Sequence, residues 1–304
     1  MLQKNKVFKK LYYTRSIMNS LEISSISSAC GKNQYEPRAK CMLYMIAKKQ
    51  KVYIKEKLLQ LGIVEKIEED TQTYDDKVKE MYKEIKKEIK DPNNFKQNRD
   101  EIVSKLKSST DCNEKDVSIA IDYIESSMKK DCGTNNESDV ISKKKYKKGN
   151  NFMYTYVENF WCIKGFNDAS VGDIVIEIKT RMKLQNVRKN EYDLYQLFGY
   201  LLAMNKTKGK IVQYFNNKVF DSDVETEKEY GIIDINAEPY YSKFKAFLKE
   251  LRAFFLELQE LLQFPEKFDI ASVFSKTKLP IAQIKDKSVH NINPQYERLI
   301  STIF

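Results

Sequence analysis

Glu177 and Lys179 stand two residues apart in the stretch from Gly165 to Arg181, GFNDASVGDIVIEIKTR, where residue type alternates. The alternation predicts a strand with Ile174, Ile176 and Ile178 on one face and Asp173, Val175, Glu177 and Lys179 on the other. A carboxylate and an ammonium on neighbouring positions of one strand face suit metal-assisted hydrolysis, the acid binding a hard cation and the amine holding a water. The same pair also suits the polar outer face of a half-buried strand. Asp75 with Lys77, Glu84 with Lys86 and Glu88 with Lys90 share the spacing, but there the sequence reads as helix or its start. Asp168, nine positions before Glu177, offers a second carboxylate. If residues 169–172 form a regular tight turn, Asp168 faces Asp173 and lies four residues, roughly 13 Å, from the level of Glu177. The strands must then splay or the turn must be wider, with Asp173 as the fallback acid.

Other chemistries are harder to build. His290 is the single histidine among 304 residues, in a loop-like stretch with no metal or nucleophile partner nearby in sequence. Histidine-dependent triads and zinc sites are thereby disfavoured. The five cysteines, Cys30, Cys41, Cys112, Cys132 and Cys162, are odd in number, spread out and without a CxxC pair. That fits a reduced intracellular, cytoplasmic compartment, while a four-cysteine iron–sulfur cluster stays arithmetically open. A net charge of +10 favours an anionic partner, and 12% aromatic residues supply faces on which bases stack. No apolar run is long enough to span a bilayer. Residues 1–23, basic and free of acids before Glu22, read as an arm touching DNA, a solvated tail or an organelle presequence.

The elements that must position these residues follow from the period of the apolar pattern. Residues 24–62 read as mostly helical, with Ser24 as an N-cap and Gly31 closing the first helix. Together with the segment to 130 they form an N-terminal helical lobe, in which 65–112 is a charged insertion or spacer. Val117, Ile121, Ile124 and Met128 mark one helix face, and Gly133 closes that helix before Glu137. From about 150 the period becomes strand-like, in NFMYTYV, FWCIKGF and DIVIEIK. A helix at 190–204 places Gln196 and Tyr200 one turn apart on one face, strands follow near KIVQYF and YGIIDIN, and a covering helix begins at Pro239. The fold class is α/β, with residues 131–304 as a sheet domain.

In this order, Ser24 to Tyr35 and Gly133 to about Met204 resemble the λ-exonuclease (YqaJ-like) recombination nucleases, a branch of the PD-(D/E)XK superfamily. Viral relatives described as Cas4-like nucleases fall nearby. Ser24 to Gly31 and Asn33-Gln34-Tyr35 look like the family's serine, short helix and G-x-N-P-Y motif, with Gln34 in place of the proline. Glu137 matches the helix glutamate, Asp168 the hairpin aspartate, Glu177 and Lys179 the ExK pair and Gln196 the following glutamine. The resemblance implies a restriction-endonuclease-like mixed sheet flanked by helices and a nuclease dependent on Mg²⁺ or Mn²⁺. It implies double-stranded DNA ends as substrate and 5′ to 3′ polarity. Cas4-like or structure-specific endonuclease activity, or a DNA-binding protein on a decayed nuclease fold, are the other readings. A single-strand annealing protein or helicase, a homo-oligomer and a viral replication compartment also belong to the family's context.

The roles follow from cation chemistry. Mg²⁺ takes about six oxygens, usually one or two carboxylates with waters and substrate phosphate. Asp168, Glu177 and the Ile178 carbonyl would be ligands, and Glu137 would orient water or bind a second ion. Lys179 would hold and help deprotonate the attacking water, with Gln196 holding Lys179 or a phosphate. Arg181, Lys183 and Arg188 follow the strand closely and suit DNA phosphates, and Arg15 resembles a family arginine on a terminal phosphate. Tyr200 either packs or contacts DNA. The run KKKYKK at 143–148 is either a solvated turn or a phosphate-contacting loop.

Overall fold

A computed structural model describes residues 19–63, 114–149, 153–157, 161–181, 190–215, 218–221 and 231–275, with isolated positions between 83 and 104. Most of the charged insertion, together with Arg15, Lys183, Arg188 and His290, lies outside the described residues. The fold is mixed α/β: a mixed sheet with flanking helices.

Two compact units emerge. The first holds the described residues through Cys41 and those from Lys144 to Gln259. The second holds those from Met42 to Lys143 and from Glu260 onward. Residues Asn19–Glu22 form strand β1, which pairs in parallel with β4 (Trp161–Gly165) and so joins the sheet unit. The strand β3 (Met153–Val157) pairs with β4 on its other side, antiparallel.

The second sheet carries the acidic residues. Its strands run β2 (Lys147–Lys148), β5 (Ala169–Val171), β6 (Ile174–Thr180), β7 (Lys208–Phe215) and β8 (Lys218–Asp221), with β9 (Ile233–Asp234) also pairing with β7. Strand β6 is central, antiparallel to β5 and parallel to β7. A parallel connection needs a crossover, and the helix Glu191–Met204 supplies it.

Helices α1 (Ile26–Ala29), α2 (Arg38–Ala47), α3 (Lys51–Gln60), α4 (Glu114–Lys144), α5 (Glu191–Met204), α6 (Tyr240–Gln263) and α7 (Ile270–Ser275) complete the described elements. Phe198 and Tyr195 of α5 pack edge-on or tilted against Phe247 of α6, and Trp161 of β4 stacks on Phe255. The apolar stripe of α6 is thus core, as its spacing predicts. In the second unit, Leu43, Ile46, Ile54, Leu58, Ile124, Met128, Val140 and Phe274 are buried. Among the described residues no helix is long and apolar enough to cross a membrane.

Two helix boundaries differ from expectation. Ser25, not Ser24, precedes α1, and Ser24 is exposed in a 3-10 turn, Ile23–Ser25. Helix α4 runs through Gly133 without a break. Glycine costs a helix only about 1 kcal/mol, and buried Ile124, Met128, Asn136 and Val140 hold one face on both sides of it. Gly31 does end α1, at φ +71°.

Gly199 lets α1 reach α5. A Cβ there would lie 2.6 Å from Ile26 Cδ1 and 3.0 Å from Ile23 Cγ2, both fully buried side chains. Gly199→Ala is expected to cost about 1–3 kcal/mol through overpacking, measurable by urea denaturation.

Candidate active site

The hairpin joining β5 to β6 is tighter than the sequence suggests. Ala169 pairs with Ile176, Ser170 with Val175 and Val171 with Ile174, leaving Gly172 and Asp173 alone at the turn. Gly172 takes φ +56°, which a residue without a Cβ adopts freely. Asp173 therefore sits in the turn, exposed and paired with Lys206, and is not a strand residue beside Glu177. The register carries Asp168 to the level of Glu177 with no splaying, because the turn is two residues long and not four. Asp168 Oδ2 accepts a hydrogen bond from the Ile178 amide at 2.6 Å.

Strand β6 is covered on both faces. Val175 and Glu177 on the polar-patterned face are as buried as Ile176 and Ile178, each at 2% exposure or less. Position explains this: β6 lies between two strands, and α5 packs over the face that carries Glu177. Gln196 of α5 accepts a hydrogen bond from Lys179 Nζ at 2.8 Å, and Leu197 abuts Gly209, the residue paired with Val175.

Within this cover Lys179 Nζ sits 2.5 Å from Glu177 Oε1. Glu177 Oε2 is buried without a hydrogen-bond partner. Burial first, and repulsion from Asp168 second, push the Glu177 carboxyl up to about 8, against the pull of Lys179. Burial alone would lower Lys179, but the carboxylates of Glu177, Asp193 and Asp168 outweigh it and hold the amine above its ordinary range. In this state Lys179 is an ammonium. It donates to Glu177 and to Gln196.

Arg181 is not placed for DNA. Its guanidinium is buried and pairs with Asp193 Oδ2, while Nε donates to Gln213 Oε1 and Nη1 to the Tyr192 hydroxyl, both at 3.0 Å. A residue just past a strand reads as solvated from sequence. Here the β7 pairing continues to it, its amide donating to the Tyr214 carbonyl, so its side chain points under α5. Tyr200 is likewise buried, at 4% exposure, and packs in place of contacting DNA. Asp193, fully buried at the start of α5, was not foreseen. An acid in a first helical turn reads as a macrodipole partner, and nothing local points to Arg181.

Glu137 lies half-buried on α4, in the second compact unit. The serine-rich segment is folded as a tight knot: Ser28 Oγ donates to Glu36 Oε2, Asn33 Nδ2 donates to Ser28 Oγ, and Asn33 Oδ1 caps the amides of Tyr35 and Glu36. Cys30, Cys41 and Cys162 are buried thiols, and burial pushes Cys30 up to about 12. Among the described residues no group of three His, Cys, Asp or Glu could hold a metal ion.

Hard cations of the Mg²⁺ type use one or two carboxylates and complete their shell with water and phosphate. The unpartnered Glu177 Oε2 and the like charge of Asp168 beside it are a deficit that such a cation would offset.

Gly149 fixes Asp168 from behind. Its amide donates to the Asp168 carbonyl at 2.9 Å, and a Cβ on it would lie 1.9 Å from the Asn167 carbonyl oxygen. Gly149→Ala is expected to force β2 away from β5, costing at least about 1–3 kcal/mol. Urea denaturation of the variant and the native chain measures the loss.

No family model matches the chain, and no curated protein matches it. Among solved structures, one described as "Crystal structure of SSO0001" is 17% identical over 67% of this chain and 86% of that chain, with a TM-score of 0.31. At that score the likeness carries no argument.

Proposed function

We propose that the chain is a divalent-metal-dependent deoxyribonuclease of the PD-(D/E)XK kind, acting as a 5′ to 3′ exonuclease on duplex ends. The observation that carries the reading is the meeting of Asp168 and Glu177 across one hairpin, with Lys179 beside Glu177 and Gln196 on Lys179. Asp168, Glu177 and the Ile178 carbonyl would hold Mg²⁺ or Mn²⁺, which when bound supplies an acidified water and neutralises charge on the phosphate. The chain's own residues do the rest. Lys179, kept an ammonium by its carboxylate neighbours, donates to the attacking water or to a non-bridging phosphate oxygen and so orients the attack. Gln196 fixes the amine, and Arg181 with Asp193 braces the end of β6 on which both catalytic positions sit.

The polarity and the preference for ends come from the family resemblance. A time course on end-labelled linear duplex with Mg²⁺, Mn²⁺ or EDTA tests the reading. Metal-dependent release of mononucleotides supports it, and no cleavage under any metal overturns it. Cutting of closed circles would instead favour the endonuclease reading.

A further inference from the structure

We infer that the cleft between the β2–β5 edge and the C-terminal end of α5 binds the sugar–phosphate backbone of a DNA strand, next to the Asp168–Glu177 site. The inference rests on the nuclease reading and adds a second phosphate position to it. The cleft has a volume of about 370 Å³ and is lined by Lys147, Lys148, Gly149, Asn167, Ser170 and Lys206, among others.

Its place on the sheet follows from register. Lys147 pairs with Ser170, and Ser170 with Val175. Alternation puts Ser170 on the face of Asp168 and Val175 on the face of Glu177. Lys147, Ser170 and Val175 thus lie on the acid-bearing face, one strand repeat away, about 6.6–6.8 Å, while Lys148 and Ile174 alternate to the other face where the cleft reaches the end of the sheet. A strand with one phosphate at the two acids can lay a neighbouring phosphate here.

Charge also fits. Three ammonium groups line the cleft against the single carboxylate of Asp173. Lys147 and Lys148 are exposed, and the missing side chain at Gly149 brings the segment that carries them against Asn167. Lys206 is held by Asp173, which is solvent-exposed. The carbonyls of Leu201 and Leu202 at the end of α5 accept from the Lys206 and Asn205 amides, so they are not bare acceptors facing an anion. The Ser170 hydroxyl is a further donor.

Lysines on a short edge strand also discourage strand pairing between molecules, and the two roles separate experimentally. Binding of a fluorescent linear duplex is measured in EDTA over a range of KCl for the native chain, Lys147→Gln/Lys148→Gln and Asp173→Asn, with thermal unfolding as a fold control. The double variant should lower the slope of log K against log salt by roughly 0.7–0.9 per lysine and weaken binding about tenfold or more at low salt. Asp173→Asn, which releases Lys206, should tighten binding severalfold, an effect that no loss of folding imitates. If the native chain binds and both variants match it in slope and affinity, the backbone site is wrong while the nuclease reading stands. If the native chain neither binds nor cleaves duplex, both fail together.

Discussion

Replacing Glu177 with glutamine is expected to lower DNA cleavage by roughly 10³-fold or more, with duplex binding largely retained. The substitution keeps the shape of a side chain that is 1% exposed and removes the charge that the proposed cation would need. It should also change how stability depends on pH. Glu177 starts from an ordinary value of 4.5 and is raised to about 8 in the folded chain by burial and by Asp168. A raised carboxyl stabilises the fold fully below its unfolded value, and the advantage is lost as pH rises through the folded one. In EDTA the native chain should therefore lose stability relative to Glu177→Gln from about pH 4.5 to 8, with a steepest slope of about 1.4 kcal/mol per pH unit. Urea denaturation of the two proteins at several pH values reads this difference directly. Parallel curves would show that Glu177 is not held protonated.

Asp193→Ala should destabilise the sheet unit by about 3–5 kcal/mol, because it leaves Arg181 buried without its counter-charge. Arg181 would keep Gln213 and Tyr192 but lose its counter-charge. Replacing both partners, as Arg181→Met/Asp193→Leu, should recover most of the loss, since an apolar pair of similar volume needs no desolvation of ions. The double-mutant cycle by urea denaturation isolates the coupling. Equal losses in the single and double variants would mean that the pair is not the source of the cost.

What the sequence reveals depends on how local the determining contact is. The strand at 174–180 is legible because isoleucine recurs at every second position, and the 190–204 helix because its apolar residues recur at the helical period. The covering helix is legible for the same reason. The turn at Gly172–Asp173 was hidden because Asp173 continues the polar phase of the alternation. Only the positive φ at Gly172 and the pairing of Val171 with Ile174 reveal where the strand starts. The place of that turn, which moves the residue opposite Asp168 from Asp173 to Glu177, decides whether the two acids meet. Arg181 was misplaced for another reason. Its surroundings come from chain far away, Gln213 lying 32 positions from it and Asp193 lying 12. Gly133 misled because a breaker weighs less than two buried stretches of helix on one face.

The proposed chemistry requires Asp168 and Glu177 to share one hard cation. Crystals soaked in Mn²⁺ and measured near the manganese absorption edge give the most direct test. An anomalous peak bridging the Asp168 and Glu177 carboxylates, absent from Asp168→Asn crystals treated alike, is the predicted result. Side chains in the arrangement described here with no peak between them, at Mn²⁺ concentrations that support cleavage, would contradict it.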